Sequence, residues 1–239
     1  MANAIPFLRC QNKRLVNGSD GETGTDFATV QQAALAWMPV TDTWTYASAT
    51  TITVPTDATT KYAVGDRLRL KQGGSYKYYY IITVAATLLT VTGGSDYTVA
   101  NSAITDIGVS KAVNPIGFPG AFNYTPTFTG FSADPSGVHR FSLVGRECRV
   151  YVRHSTLGTS HPGTGAAFTI TLPITAATIT NHAWVGSGQG VDNGGILVNS
   201  FMVSFTSAAT VMNLYTNHAA AGWTAALTKG ANFQLTYEI

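Results

Sequence analysis

Few residues in this chain have the type and spacing for acid–base, nucleophilic or metal chemistry. In the C-terminal half the carboxylates are Asp134, Glu147, Asp192 and Glu238. Glycoside hydrolysis needs two carboxyl groups converging on one bond. Asp134 with Asp192 is the pairing the fold would have to assemble, and nothing in their spacing does so. There is no G-x-S-x-G and no H-E-x-x-H. His154 with His161, and His182 with His218, lack the compact spacing of a metal site. The glycine-rich run Gly186–Gly195 (GSGQGVDNGG) shares only its glycine content with phosphate loops, and no Lys-Ser/Thr follows it. It reads as a flexible strand connection. The expectation is therefore no catalysis, no metal and no cofactor.

Binding is the better-supported chemistry. Three loops mix small polar residues with His, Asn or an aromatic: Gly158–Gly165 (GTSHPGTG), Gly186–Gly195 and Thr216–Trp223 (TNHAAAGW). Aromatic rings stack on the apolar faces of sugars, while Asn, Asp and His direct hydrogen bonds. The candidate contact residues are His161, Trp184, Asp192, Asn193, Tyr215, Asn217, His218 and Trp223. Taken singly, Trp184 and Trp223 also fit core positions.

These loops need a scaffold, and the chain divides around one stretch. Val113–Phe122 reads V-N-P-I-G-F-P-G-A-F. Two prolines and two glycines keep it out of helices and central strands. Ile116, Phe118 and Phe122 mark it as a packed joint.

Before the joint, Thr43–Tyr46, Thr50–Val54, Arg67–Lys71, Tyr76–Val84, Thr87–Thr92 and Ala103–Val109 read as short strands, enough for a small barrel. After it, strands are predicted at Arg140–Leu143, Arg146–His154, Phe168–Leu172, Ala183–Val185, Ile196–Phe205, Thr210–Tyr215 and Ala225–Leu227. In the last strand Phe233, Leu235, Tyr237 and Ile239 share one face. Some eight strands suggest a two-sheet sandwich of jelly-roll type. Upstream, Thr25 is placed to cap a helix over Asp26–Met38, with Phe27, Val30, Ala34 and Trp37 on one face. That face fits either packing on its own domain or a self-association seam.

The predicted fold is all-β, a small β-barrel followed by a jelly-roll-like β-sandwich, with a short N-terminal helix. Its parts are an attachment segment (1–41), the barrel (42–112), the joint (113–123) and a sandwich knob (124–239).

Composition narrows the function classes. Charged residues are 11% of 239, against roughly 25% in an average soluble domain. Such a surface suits burial in an oligomer. The net charge is +2, and the basic row Arg67, Arg69, Lys71 and Lys77 is nearly balanced by Asp57, Asp66, Asp96 and Asp106. Nucleic acid is not an expected partner. Cys10 and Cys148 form no disulfide framework, and Cys148 falls on an apolar strand position. No secretory signal is visible, and no segment approaches the ~18 apolar residues of a membrane span.

Several stretches of residues 43–122 occur together in a familiar order: TWTYASATTITVP, YAVGDRLRLKQGG, KYYYI, LTVTGGSDY and NPIGFPGAF. This module resembles one recurring in tail-associated structural proteins of bacteriophages. The second module is similar in style to the C-terminal knobs of phage tail fibres and receptor-binding proteins. It shares their Thr-Pro-Thr opening, Gly-rich loops and terminal strand ending in Tyr-x-Ile. The resemblance implies a virion component assembled in the host cytoplasm, usually a homotrimer. Its N-terminal segment would join other virion proteins, and its tip would bind a host surface glycan or protein. A head decoration, head fibre or baseplate protein without a receptor role is the alternative, and a glycan-degrading tailspike enzyme the third.

Overall fold

The structure, a computed structural model, describes residues 36–160, 168–225 and 227–239. These residues are all-β, arranged as two antiparallel sheets. The first sheet comprises β1 (Met38–Pro39), β2 (Thr45–Ser48), β3 (Thr51–Thr53), β4 (Arg67–Gln72), β5 (Ser75–Ala85), β6 (Leu88–Thr92) and β7 (Thr105–Ser110), in the order β1-β7-β4-β5-β6-β3-β2. Alternation builds it: Leu68, Leu70, Tyr79, Ile81, Leu89 and Val91 point to one buried face around Trp44 and Ile52.

The second sheet comprises β8 (Phe122–Asn123), β9 (Phe128–Thr129), β10 (Phe131–Ala133), β11 (Ser136–Val144), β12 (Glu147–Thr156), β13 (Gly158–Ser160), β14 (Phe168–Thr171), β15 (Ala183–Asp192), β16 (Gly195–Ile196), β17 (Phe201–Thr206), β18 (Val211–Tyr215) and β19 (Thr228–Glu238). Its main path runs β8-β11-β12-β19-β15-β17-β18-β14-β9. Cys148, Val150 and Val152 of β12 share one core with Phe201, Val203, Met212 and Leu214 from β17 and β18. The sheet is thus folded over itself as a sandwich. Cys148 is buried, as its strand position predicted, and burial pushes its thiol up to about 12.

The joint packs tightly. Phe118 and Phe122 are buried, and Tyr80 lies 5.1 and 5.2 Å from their rings in edge-on contact. Ile116 departs from expectation: its side chain is exposed, and its carbonyl accepts the Trp37 indole N–H at 2.9 Å. Arg67 crosses between the sheets. Its guanidinium donates to Gly65 O at 2.7 Å and Leu143 O at 2.8 Å, beside the Tyr80 ring.

Within the basic row Arg67 is buried and the other three are half-buried. Arg69 lies over Trp37 and Tyr76, Lys71 pairs with Asp106, and Lys77 donates to Thr98 O.

Four sequence expectations need correction. Met38 is not helical: with Pro39 it pairs in β1 against Val109 and Gly108. The rest of the Asp26–Met38 helix, up to residue 35, lies outside the described residues. The strand expected over Ile196–Phe205 is two, β16 and β17, broken between residues 197 and 200. Neither Ala225 nor Leu227 lies in a strand, and β19 begins at Thr228.

The fourth concerns Gly186–Gly195, most of which is the long strand β15 rather than a loop. Its glycines are dictated by close packing. A Cβ on Gly188 would sit 2.4 Å from Asn232 O and 2.6 Å from Phe233 Cβ, and one on Gly186 would sit 2.7 Å from Leu235 Cδ1. Gly188→Ala is expected to lower stability by about 1–3 kcal/mol, the usual cost of overpacking. A shift in the urea midpoint at unchanged slope measures this.

Candidate functional site

Strand register sorts the candidate residues between the two ends of the sandwich. In β15, Gly188 faces Phe233 and Val191 faces Gly230. In β18, Tyr215 faces Met202. Asp192, Asn193, Tyr215, Asn217 and His218 therefore share one end. The opposite end holds the β11–β12 turn. There Arg67 reaches Leu143 O, and the Gly145 carbonyl is so close to Gly65 that a Cβ on Gly65 would stand 2.0 Å from it. The loop-bearing end is thus the one distal to the first sheet.

At the distal end several candidates have structural duties. Trp223 is 2% exposed, donates its indole N–H to Leu214 O at 2.8 Å, and packs against Phe168 and Phe201. It is a core residue. Asp192 forms an ion pair with Lys229, whose side chain is fully buried, and accepts from Thr224 Oγ1 at 2.8 Å. Burial would raise the Asp192 carboxyl. The hydrogen bonds from Lys229 and Thr224, with the Lys229 charge, hold it below its ordinary value.

Asn193 and Gly194 have φ of 54° and 76° and lie between the paired residues Asp192 and Gly195. This is the two-residue Asn-Gly hairpin, in which both positions need positive φ. Asn217 folds its own loop, with Oδ1 accepting from the Ala219 and Ala221 amides at 2.9 and 3.2 Å.

Tyr215 is half-buried and His218 exposed, so these two can meet a partner. His161 lies outside the described residues. Sequence reasoning missed the apolar part of this end: Ile196 is 72% exposed and Val198 100%. Leu157 and Leu227 are exposed beside Lys229 and Gly230, to which β13 and β15 pair. Ile196 and Val198 both fall within the strand expected over Ile196–Phe205, a pattern that hides their exposure.

Trp184 sits apart, at the end near the joint. It stacks on Phe205 at 5.5 Å, and the His182 ring meets it edge-on at 4.5 Å. It lines an open depression of about 400 Å³ with Val144, Arg146, Glu147 and Glu238. Glu147 and Glu238 face each other across β12 and β19, and Arg146 pairs with Glu238 at 3.6 Å. Asp134 and Asp192 do not form the pair considered from the sequence: Asp192 is committed to Lys229 and Thr224, and Asp134 is exposed in the β10–β11 link.

The histidines regroup as well. His182 and His218 lie at opposite ends, while His139 and His154, fifteen residues apart, bring their rings to 5.6 Å. Burial pushes both down, and His154 reaches about 4 with the His139 charge adding to the effect. Among the described residues no group of three or more His, Cys, Asp or Glu could hold a metal ion, and no helix is long and apolar enough to cross a membrane. Compared with known proteins, the chain matches no protein family, no curated protein and no solved structure.

Proposed function

We propose that the chain is a bacteriophage virion structural protein of the tail-fibre or spike type, whose distal sandwich end binds a host surface glycan or protein. The observation that carries this reading is the polarity of the sandwich. One end is fixed to the first sheet by Arg67 and the aromatic joint. The other presents Tyr215 and Ile196 at strand ends and His218 and Val198 in the adjoining loops, which Asn217 and the Asn193–Gly194 turn hold in shape. Aromatic, imidazole and aliphatic groups on a rigid scaffold suit sugar faces and protein patches alike. In this reading residues 1–41 join other virion proteins, and three copies associate.

The test is binding of the purified protein to bacterial cells and to immobilised cell-wall glycans, beside a His218→Ala/Val198→Asp variant. The expected result is saturable binding without product, weakened at least tenfold in the variant. Absence of binding to every surface tried, with incorporation into particles retained, would leave a decoration or baseplate role. Release of oligosaccharide would make the protein an enzyme.

A further inference from the structure

The two edges of the second sheet are joined by a short strap. β8 pairs with β11 at one edge and β9 with β14 at the other, and only residues 124–127 separate β8 from β9. The strap is fastened at each side. The Tyr124 amide donates to His139 O at 3.0 Å, the Thr171 amide to Thr127 O at 3.0 Å, and the Thr127 amide to Thr171 Oγ1 at 2.9 Å.

Beneath the strap lie two imidazoles. His139 on β11 faces Val152, and His154 on β12 faces Gly137, so the histidines are diagonal neighbours on the inward face. Phe128 of β9 closes over both, 5.7 Å from His139 and 5.6 Å from His154, and Tyr124 flanks His139 at 6.0 Å. The Nε2 atoms of both histidines and the Tyr124 hydroxyl are buried without a hydrogen-bond partner. His154 Nδ1 accepts the Ala231 amide at 3.0 Å. That bond assigns the neutral ring its proton on Nε2.

We propose that this pair is an acid-sensitive latch: protonation of His154 and His139 releases the strap and opens the seam between β8 and β9. A second proton on His154 must go to Nδ1, where it meets the Ala231 N–H and abolishes that bond. Two cations 5.6 Å apart would then share an aromatic enclosure.

The surrounding groups do not offset this. Arg140 and Arg153 adjoin the histidines on the same strands, and Arg140 donates to Asn123 Oδ1. Asp96 is engaged by Asn123, Asp192 by Lys229, and Asp134 is exposed on the link beyond β10. Tyr124 and the Cys148 thiol are held neutral by burial. Among the described residues no carboxylate lies within ion-pairing distance of either ring.

A histidine held below its ordinary 6.5 favours the closed strap above that pH. The preference is lost as pH falls toward about 4.

Amide hydrogen exchange on the full chain at pH 7.5 and 4.5, corrected for chemical exchange, tests the latch. Protection of peptides covering 122–133 is expected to fall about tenfold or more at pH 4.5, while peptides covering 67–81 in the first sheet keep theirs. His154→Asn, which retains an acceptor near the Nδ1 position, combined with His139→Asn should abolish the loss. Unchanged protection in the wild type, equal loss in the double variant, or simultaneous opening of 67–81 would overturn the proposal. Should the variant fail to fold at pH 7.5, NMR titration of the wild type decides. Strap amide shifts must follow the His154 ring, and a different midpoint rejects the latch.

Discussion

Removing Thr236 to Ile239 is expected to unfold the second sheet while the first still melts as a cooperative unit. β19 is an interior strand of that sheet, paired to β12 on one side and β15 on the other. The four residues include Tyr237, 2% exposed, whose hydroxyl donates to Ile174 O at 2.6 Å, and the buried Ile239. They also supply the Glu238 carbonyl to the Ala177 amide and the Ile239 amide to the Arg146 carbonyl. Losing a large aromatic costs about 3–5 kcal/mol and losing an Ile about 2–5 kcal/mol. Together these rival the roughly 5–15 kcal/mol that holds a whole domain. Circular dichroism melting with tryptophan emission would follow both sheets, since Trp44 reports on the first and Trp223 on the second. Unchanged melting of both would show that these residues do not hold the sandwich.

Asp192→Ala should cost about 3–5 kcal/mol, the usual penalty for breaking a buried ion pair from one side. Lys229 is 0% exposed, and its ammonium would lose its carboxylate while keeping the Thr224 hydroxyl at 2.6 Å. The loss should be largely reversed in the Asp192→Leu/Lys229→Met double variant, because the expense lies in the uncompensated charge and not in the missing contact. Urea unfolding of the single and double variants measures both. A double variant as unstable as the single would place the cost in the Thr224 bonds. Because Asp192 is held below its ordinary 3.8, its contribution is complete above that pH and declines as acid titrates it.

Strand alternation carried most of the fold. Arg67–Lys71 and the Phe233–Ile239 face stand in strands where period two put them, and Tyr76–Val84 where its aromatic and β-branched content did. The failures have physical causes. Beyond Val185, β15 reads as a loop because its inward positions are glycine, and they are glycine because Leu235 and Phe233 press against the backbone. The Asn193–Gly194 hairpin that closes it is flanked by residues too polar to look like a strand. Trp223 fits both a contact and a core position from its sequence, and its burial, a tertiary fact that no local pattern encodes, makes it core. The distal end was legible in His218 and Tyr215 but not in Val198. The His139–His154 pair arises from a diagonal across two strands, and a spacing of fifteen residues carries no signal of its own.

The position of β19 also bears on the order of synthesis. The seven strands of the first sheet all fall before residue 111, so on a ribosome that sheet can complete itself while the rest is still being made. The second cannot. β12 and β15 emerge before the strand that joins them, and until residues 228–238 leave the exit tunnel each presents an unpaired edge. Such edges recruit strands from other nascent chains. The interval between translation of β15 and β19 is therefore the window in which this protein is most exposed to misassembly. Slowing elongation there should lower the soluble yield more than slowing it before residue 111.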